Sequence, residues 1–222
     1  MNSLMTLFNL ISVYLILIIA LYLDIRFRKI SNEYLKILFI YSLFINFVEF
    51  TFNYEVFIMI MITKLILLVI VFLITFWLFV LKIMGGGDAK LILIVFLIHP
   101  SNYLNLFRVL LFFLLFSFSF LTHIIIKIIY DDVRNKNYAF QILFNFYLKI
   151  SNFKKAYIKA FYKIFALTEL RNTDLDKINL SNFFIIYDYK KRQFQIIIQY
   201  RIPLIIDIVI SYLILSLLIL VF

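Results

Sequence analysis

The chain contains no cysteine, which rules out a disulfide framework, a thiol nucleophile and a cysteine-ligated metal. His99 and His123 are its only histidines. No His-Glu-x-x-His occurs, so a zinc site has no ligand set to draw on and no metal is expected. No glycine adjoins a serine, and the Gly-x-Ser-like setting of a membrane serine nucleophile is missing with it. Only 15% of the 222 residues are charged. There are two prolines and three glycines, so the few places where a helix must break stand out.

What remains is apolar. Hydrophobic residues make up 65% of the chain, and several runs exceed the roughly 18 apolar residues that mark a membrane span. The reading is an all-α polytopic membrane protein. Its 28 Phe and 15 Tyr against one Trp, with much Ile, Asn and Lys, read as the codon bias of an AT-rich genome rather than as a functional signal. The net charge of +10 takes its meaning from location. Of 22 Lys and Arg residues, 14 lie between Lys127 and Arg201, and Arg26, Arg28 and Lys29 follow the first apolar run. Basic residues gathered in some loops and absent from others mark the cytoplasmic side of a membrane. The expected contacts of that charge are membrane lipids, and nucleic acid is not an expected partner.

Taken in order, residues 4–23 form a first span that runs inward to Asp24. No basic segment or small-residue cleavage site precedes it, so no cleaved signal peptide is expected. Residues 34–48 return outward to a loop with Glu49 and Glu55. A third span comes inward to Lys82, with Lys64 either at its outer end or inside a longer, tilted helix. Residues 89–98 give only about 15 Å of helix before His99-Pro100. That is short of a bilayer core of about 30 Å. Either the helix continues past the proline, or it is a short span shielded by its neighbours. Residues 103–129 come back in, and residues 202–222 form the last span, with Pro203 near its first turn.

Six transmembrane helices satisfy these counts. The division is a membrane domain over residues 1–129, a basic cytosolic segment over 130–201, possibly α+β, and the last helix over 202–222. Within the segment, apolar residues between Phe140 and Thr168 recur at three- and four-residue steps, which suits helices on an anionic membrane surface or around a small core. Residues 183–189 and 193–200 are β-prone runs around Lys190-Lys191-Arg192 and predict a hairpin.

All three glycines stand together in Met84-Gly85-Gly86-Gly87-Asp88-Ala89-Lys90. Glycine permits positive φ and close backbone approach, at about 1 kcal/mol per residue inside a helix relative to alanine. A carboxylate is thereby set on a break at the cytoplasmic margin, on the side already assigned to Asp24. Alone, Asp24 reads as a helix-end charge and Asp88 as a helix cap. Together they can share one proton and activate water, one taking the water's proton while the other donates to a peptide carbonyl. No cofactor is needed. A small transporter or channel is the alternative, because broken helices and membrane carboxylates also build ion sites. Those sites tend to lie at mid-bilayer, whereas these aspartates lie at a rim. A non-catalytic scaffold fits less well, since helix-packing glycines are spaced four apart rather than contiguous.

Gly85-Gly86-Gly87-Asp88 resembles the Gly-x-Gly-Asp motif of intramembrane aspartyl proteases. With Ala89-Lys90 after it and Asp24-Ile25-Arg26, Arg28, Ile30 and Asn32 upstream, the chain is similar to the type IV prepilin peptidase family. More closely, in its short six-span form it resembles the archaeal preflagellin and prepilin peptidases. The resemblance implies a catalytic dyad of Asp24 and Asp88. Gly85, Gly86, Gly87, Lys90, Arg26 and Asn32 are then substrate-binding or structural. Substrates would be prepilin or preflagellin (archaellin) precursors with a short basic leader, cut at the cytoplasmic face just before their hydrophobic helix. The N-methylation and cysteine pairs common in bacterial relatives are not carried over, since the chain lacks cysteine. Among other polar residues, Asp207 reads as a structural aspartate that is neutral or lysine-paired, and His123 and Arg108 as helix-end or packing residues. Lys82 and Lys90 read as anchors beside the glycines, and Asp131 and Asp132 as candidates for steering a basic leader.

Overall fold

The computed structural model of the chain describes residues 2–27, 30–52, 57–81, 83–133, 151, 162–166, 183–188, 192–199 and 203–221. Among them are six α-helices and three strands: α1 (Asn2–Phe27), α2 (Asn32–Phe52), α3 (Phe57–Val80), α4 (Gly86–Ile98), a 3-10 turn (Ser101–Tyr103), α5 (Leu106–Val133), β1 (Tyr162–Ala166), β2 (Phe183–Asp188), β3 (Gln193–Gln199) and α6 (Leu204–Val221). The chain divides into two compact units, one comprising Met1–Ser119 with Pro203–Phe222, the other Phe120–Ile202.

The first unit is helical and is arranged around α4, which packs against α1, α2, α3 and α6. Leu91, Ile92, Ile94, Val95, Phe96 and Ile98 are all buried. A helix that is apolar on every side belongs in the interior. α4 has 13 residues, about 20 Å at 1.5 Å per residue, and it does not run on through the proline. The His99 N–H closes its last turn on the Val95 carbonyl at 2.9 Å. Pro100, with no N–H to donate, then leads into the 3-10 turn. The shielded short helix is therefore the arrangement found.

The surrounding helices bury one stripe and expose the other faces. On α1, Leu10, Val13, Leu17 and Ala20 are buried at alternating three- and four-residue steps, the spacing of one helix face. Leu15, Ile18 and Ile25 on its other faces are more than half exposed. Large apolar side chains open to this degree along whole helices suit hydrocarbon rather than water. Leu4–Phe27, Met61–Val80 and Leu106–Tyr130 are long and apolar enough to cross a membrane. Of the six spans expected, these three meet both length and composition among the described residues. α2 carries Glu33, Lys36 and Glu49, α4 is too short, and the apolar stretch of α6, Leu204–Leu218, is also short of a span. α3 starts at Phe57, so Lys64 lies inside the helix rather than at its end, with 3% of its surface exposed.

The second unit holds an antiparallel sheet of order β1-β3-β2. The two β-prone runs expected as a hairpin are β2 and β3, with Tyr187 opposite Phe194 and their rings edge-on at 5.0 Å. Arg192, before β3, takes a left-handed φ of 50°. Helix was expected through Thr168, but Tyr162–Ala166 is strand β1 paired with β3. Its aromatic and β-branched residues suit a pleated surface. The rest of that expectation, with Arg28, Lys29, Glu55 and Lys82, lies outside the described residues.

Candidate active site

Asp24 continues the buried stripe of α1 four residues beyond Ala20 and is 8% exposed. The face that packs α1 into the bundle is thus the face that presents the carboxylate. Asp88 is the third residue of α4, whose N-cap is Gly85 in extended conformation (φ −75°, ψ 152°). Its side chain folds back so that Oδ2 accepts the Gly85 N–H at 3.3 Å. This is half of a capping box, at the helix end where the dipole favours negative charge. α4 accordingly starts at Gly86, not at Ala89 as the glycine run suggested.

None of the glycines has positive φ, so what they contribute is proximity. A Cβ at Gly85 would stand 3.0 Å from Asp88 Oδ2, and one at Gly87 would stand 3.7 Å from both Cβ and the carbonyl oxygen of Ile30. A Cβ at Gly86 would meet the Phe79 ring at 3.6 Å. The first turn of α4 is therefore wedged between the α1–α2 connection and the end of α3.

These contacts give the bundle its directions. Gly87 meets Ile30, just beyond the end of α1. At the other end of α4, His99 Nδ1 and the Tyr212 hydroxyl are 2.9 Å apart, and the Tyr212 ring lies edge-on to that of Tyr14, midway along α1 and well before Ile30, at 5.8 Å. α1 is thus antiparallel to α4, and Asp24 and Asp88 lie at the same end of the bundle. Lys90 and Asn32 also meet there, Nζ to Oδ1 at 3.4 Å. Arg26 does not join them. Its guanidinium donates to the Tyr22 hydroxyl at 2.7 Å and lies 5.2 Å over the Phe27 ring, both contacts within α1.

The His99 end carries a polar network that sequence inspection did not assemble. Lys64 Nζ donates to Asn46 Oδ1 at 2.6 Å and reaches Glu49 Oε2 and Ser101 Oγ, each at 3.4 Å. Asn46 Nδ2 donates to the Leu97 carbonyl at 3.0 Å, and the Ser101 N–H donates to Glu49 Oε1 at 3.1 Å. The available signal was the three-residue step from Asn46 to Glu49, which sets both on one face of α2. Asp207, 1% exposed, accepts a hydrogen bond from Ser119 Oγ at 2.8 Å. Arg108 donates to the Tyr103 carbonyl and covers its ring at 5.1 Å, a helix-end role as expected. Among the described residues no cluster of three or more His, Cys, Asp or Glu could hold a metal ion.

Long apolar helices around a buried short one, with carboxylates at one end, define a multi-pass membrane protein. The sequence model of the type IV leader peptidase family matches residues 11–127, more than half of the 222 residues and including both Asp24 and Asp88. The chain belongs to that family, and it is a membrane peptidase of the prepilin-processing kind. Searches of curated proteins and of solved structures gave no match.

Proposed function

We propose that the chain is an aspartyl endopeptidase that removes the short basic leader of prepilins or preflagellins, with Asp24 and Asp88 as its catalytic pair. One observation supports this above the rest: both carboxylates stand at the same end of the helical bundle, within the segment that matches the peptidase family. By the charge distribution of the loops that end is cytoplasmic, α1 to α6 are six passes of a cell-membrane protein, and the N-terminus is outside. Residues 130–201 are then the cytosolic segment between membrane residues 1–129 and the last helix, 202–222. A site at this rim reaches a peptide bond just before a membrane helix while water still has access.

In the reaction, one aspartate holds a proton and the other does not. The ionised carboxylate takes a proton from water as the water oxygen bonds to the scissile carbonyl carbon, and the protonated carboxyl gives its proton to the carbonyl oxygen. The tetrahedral species then collapses. The C–N bond breaks, the amine leaves with a proton from the aspartate that received one, the other aspartate takes a proton back from a hydroxyl of the collapsing diol, and the pair is restored. Neither metal nor cofactor enters this scheme. Cleavage falls at low pH, where both carboxyls are protonated and no base remains, and again at high pH, where both are ionised and no acid remains.

The test is co-expression of a prepilin-like precursor with Asp24→Asn and Asp88→Asn separately. Each is expected to abolish cleavage while the protein stays in the membrane. Full cleavage by either removes the dyad from the reading. Asp207→Asn retains the acceptor for Ser119 and is expected to keep most activity.

A further inference from the structure

Tyr34 is the third residue of α2, in a first turn capped by Ser31, whose Oγ accepts the Tyr34 N–H at 3.3 Å. Its hydroxyl oxygen is buried and has no hydrogen-bond partner among the described residues. Other tyrosines of the membrane helices differ in this respect. Tyr14 pairs with Ser216, Tyr22 with Arg26, Tyr41 with Ser12 and Tyr212 with His99. A buried hydroxyl without a partner is destabilising. Phenylalanine would avoid that penalty, in a chain that uses Phe 28 times.

The hydroxyl's place is fixed by the helix. Tyr34 shares a stripe with the buried Leu38, Ser42 and Ile45, and α2 packs on α4. A tyrosine side chain on a helix leans back over the turn before its own Cα. That carries the phenol toward residues 30–32, where Ile30 meets Gly87 and Asn32 meets Lys90. The unpartnered donor therefore belongs to the end of the bundle that holds Asp24 and Asp88, in the first turn of α2.

We propose that Tyr34 is a substrate-contacting residue of this site, its hydroxyl donating a hydrogen bond to a backbone carbonyl of the unwound peptide next to the scissile bond. The inference rests on the dyad reading above. A peptide extended for cleavage has lost its helical hydrogen bonds and exposes carbonyls that need donors at the membrane rim. Asp24 is only 8% exposed, so the bundle end must open to admit a peptide to it, and the same opening uncovers the Tyr34 hydroxyl.

Tyr34→Phe keeps the ring and removes only the oxygen. In the full-length protein in micelles, kcat/KM for a precursor with a basic leader is expected to fall about tenfold, the factor that about 1.4 kcal/mol supplies. The thermal midpoint is expected to stay level or rise, because an unsatisfied buried group has been removed. Tyr41→Phe, which loses a satisfied bond to Ser12, is expected to do the reverse, lowering the midpoint and leaving kcat/KM unchanged. Wild-type kcat/KM in Tyr34→Phe overturns the inference, and so does a midpoint that falls as far as in Tyr41→Phe. Asp24→Asn and Asp88→Asn are measured alongside. If both are dead while Tyr34→Phe is fully active, the Tyr34 assignment fails and the dyad reading stands. If either aspartate variant cleaves normally, the dyad reading fails and the Tyr34 assignment with it.

Discussion

The two ends of α4 are held in opposite ways. At the His99 end the last carbonyls and the following turn are bound by Asn46, Glu49 and Lys64, with the Lys64–Glu49 ion pair at 3.4 Å and both side chains at or below 10% exposure. His99 adds its link to Tyr212. At the Asp88 end the packing is lighter in bulk: a glycine turn lies against Ile30 and Phe79, Lys90 makes a long exposed bond to Asn32, and Asp88 Oδ2 accepts the Gly85 N–H. Interhelical charge and hydrogen bonding bolt one end, and small residues let the other pack closely. A short helix anchored at one end can carry a reactive group at the other and still admit a substrate there.

That contrast can be broken at either end. The largest effect is expected at the light end. Asp88→Asn should lower cleavage by about 10²–10⁴-fold, the range for loss of a general acid or base, with the thermal midpoint nearly unchanged; initial rates on a precursor substrate and an unfolding curve check both parts. At the bolted end the signature reverses. Lys64→Met leaves the Glu49 carboxylate buried without its ammonium and should destabilise by about 3–5 kcal/mol, read by unfolding in micelles, while turnover per folded molecule holds. Tyr212→Phe takes the partner from His99 Nδ1 and should cost about 1–3 kcal/mol, again with turnover intact. If Lys64→Met removed activity from fully folded protein, the division of roles between the ends would be wrong.

The smallest effects sharpen the light end itself. Gly87→Ala adds a methyl at ordinary contact distance from Ile30, 3.7 Å, and should keep activity while gaining up to about 1 kcal/mol of helix stability. Gly85→Ala sets its methyl 3.0 Å from Asp88 Oδ2 and should lower kcat without comparable loss of stability. Equal behaviour of the two in a side-by-side kinetic and unfolding comparison would show that the Asp88 carboxylate does not use the space Gly85 leaves.

Much of this was legible along the chain. The glycine run, Pro100 and the apolar lengths are local features, and each marked a real break or a real helix. The β2–β3 hairpin was legible for the same reason. Lys64 was seen as ambiguous and could not be resolved alone, because snorkelling and burial give the same sequence. β1 was misread as helix because short aromatic runs carry both periods until a partner strand selects one. Tyr34 left no pattern to read, and of the Asn46–Lys64–Ser101 cluster only the Asn46–Glu49 step on α2 was visible.

Composition and backbone chemistry by themselves determined that this is a membrane protein, where its helices break, and which two carboxylates border those breaks. These follow from transfer out of water and from allowed dihedrals, both properties of short stretches. Only the tertiary structure decided that α4 would be largely buried and gripped at its His99 end, and that Ile30 would lie against Gly87. A helix that is apolar all round has no preferred face, so its rotation about its own axis, and hence its partners, is set by neighbours distant in the chain.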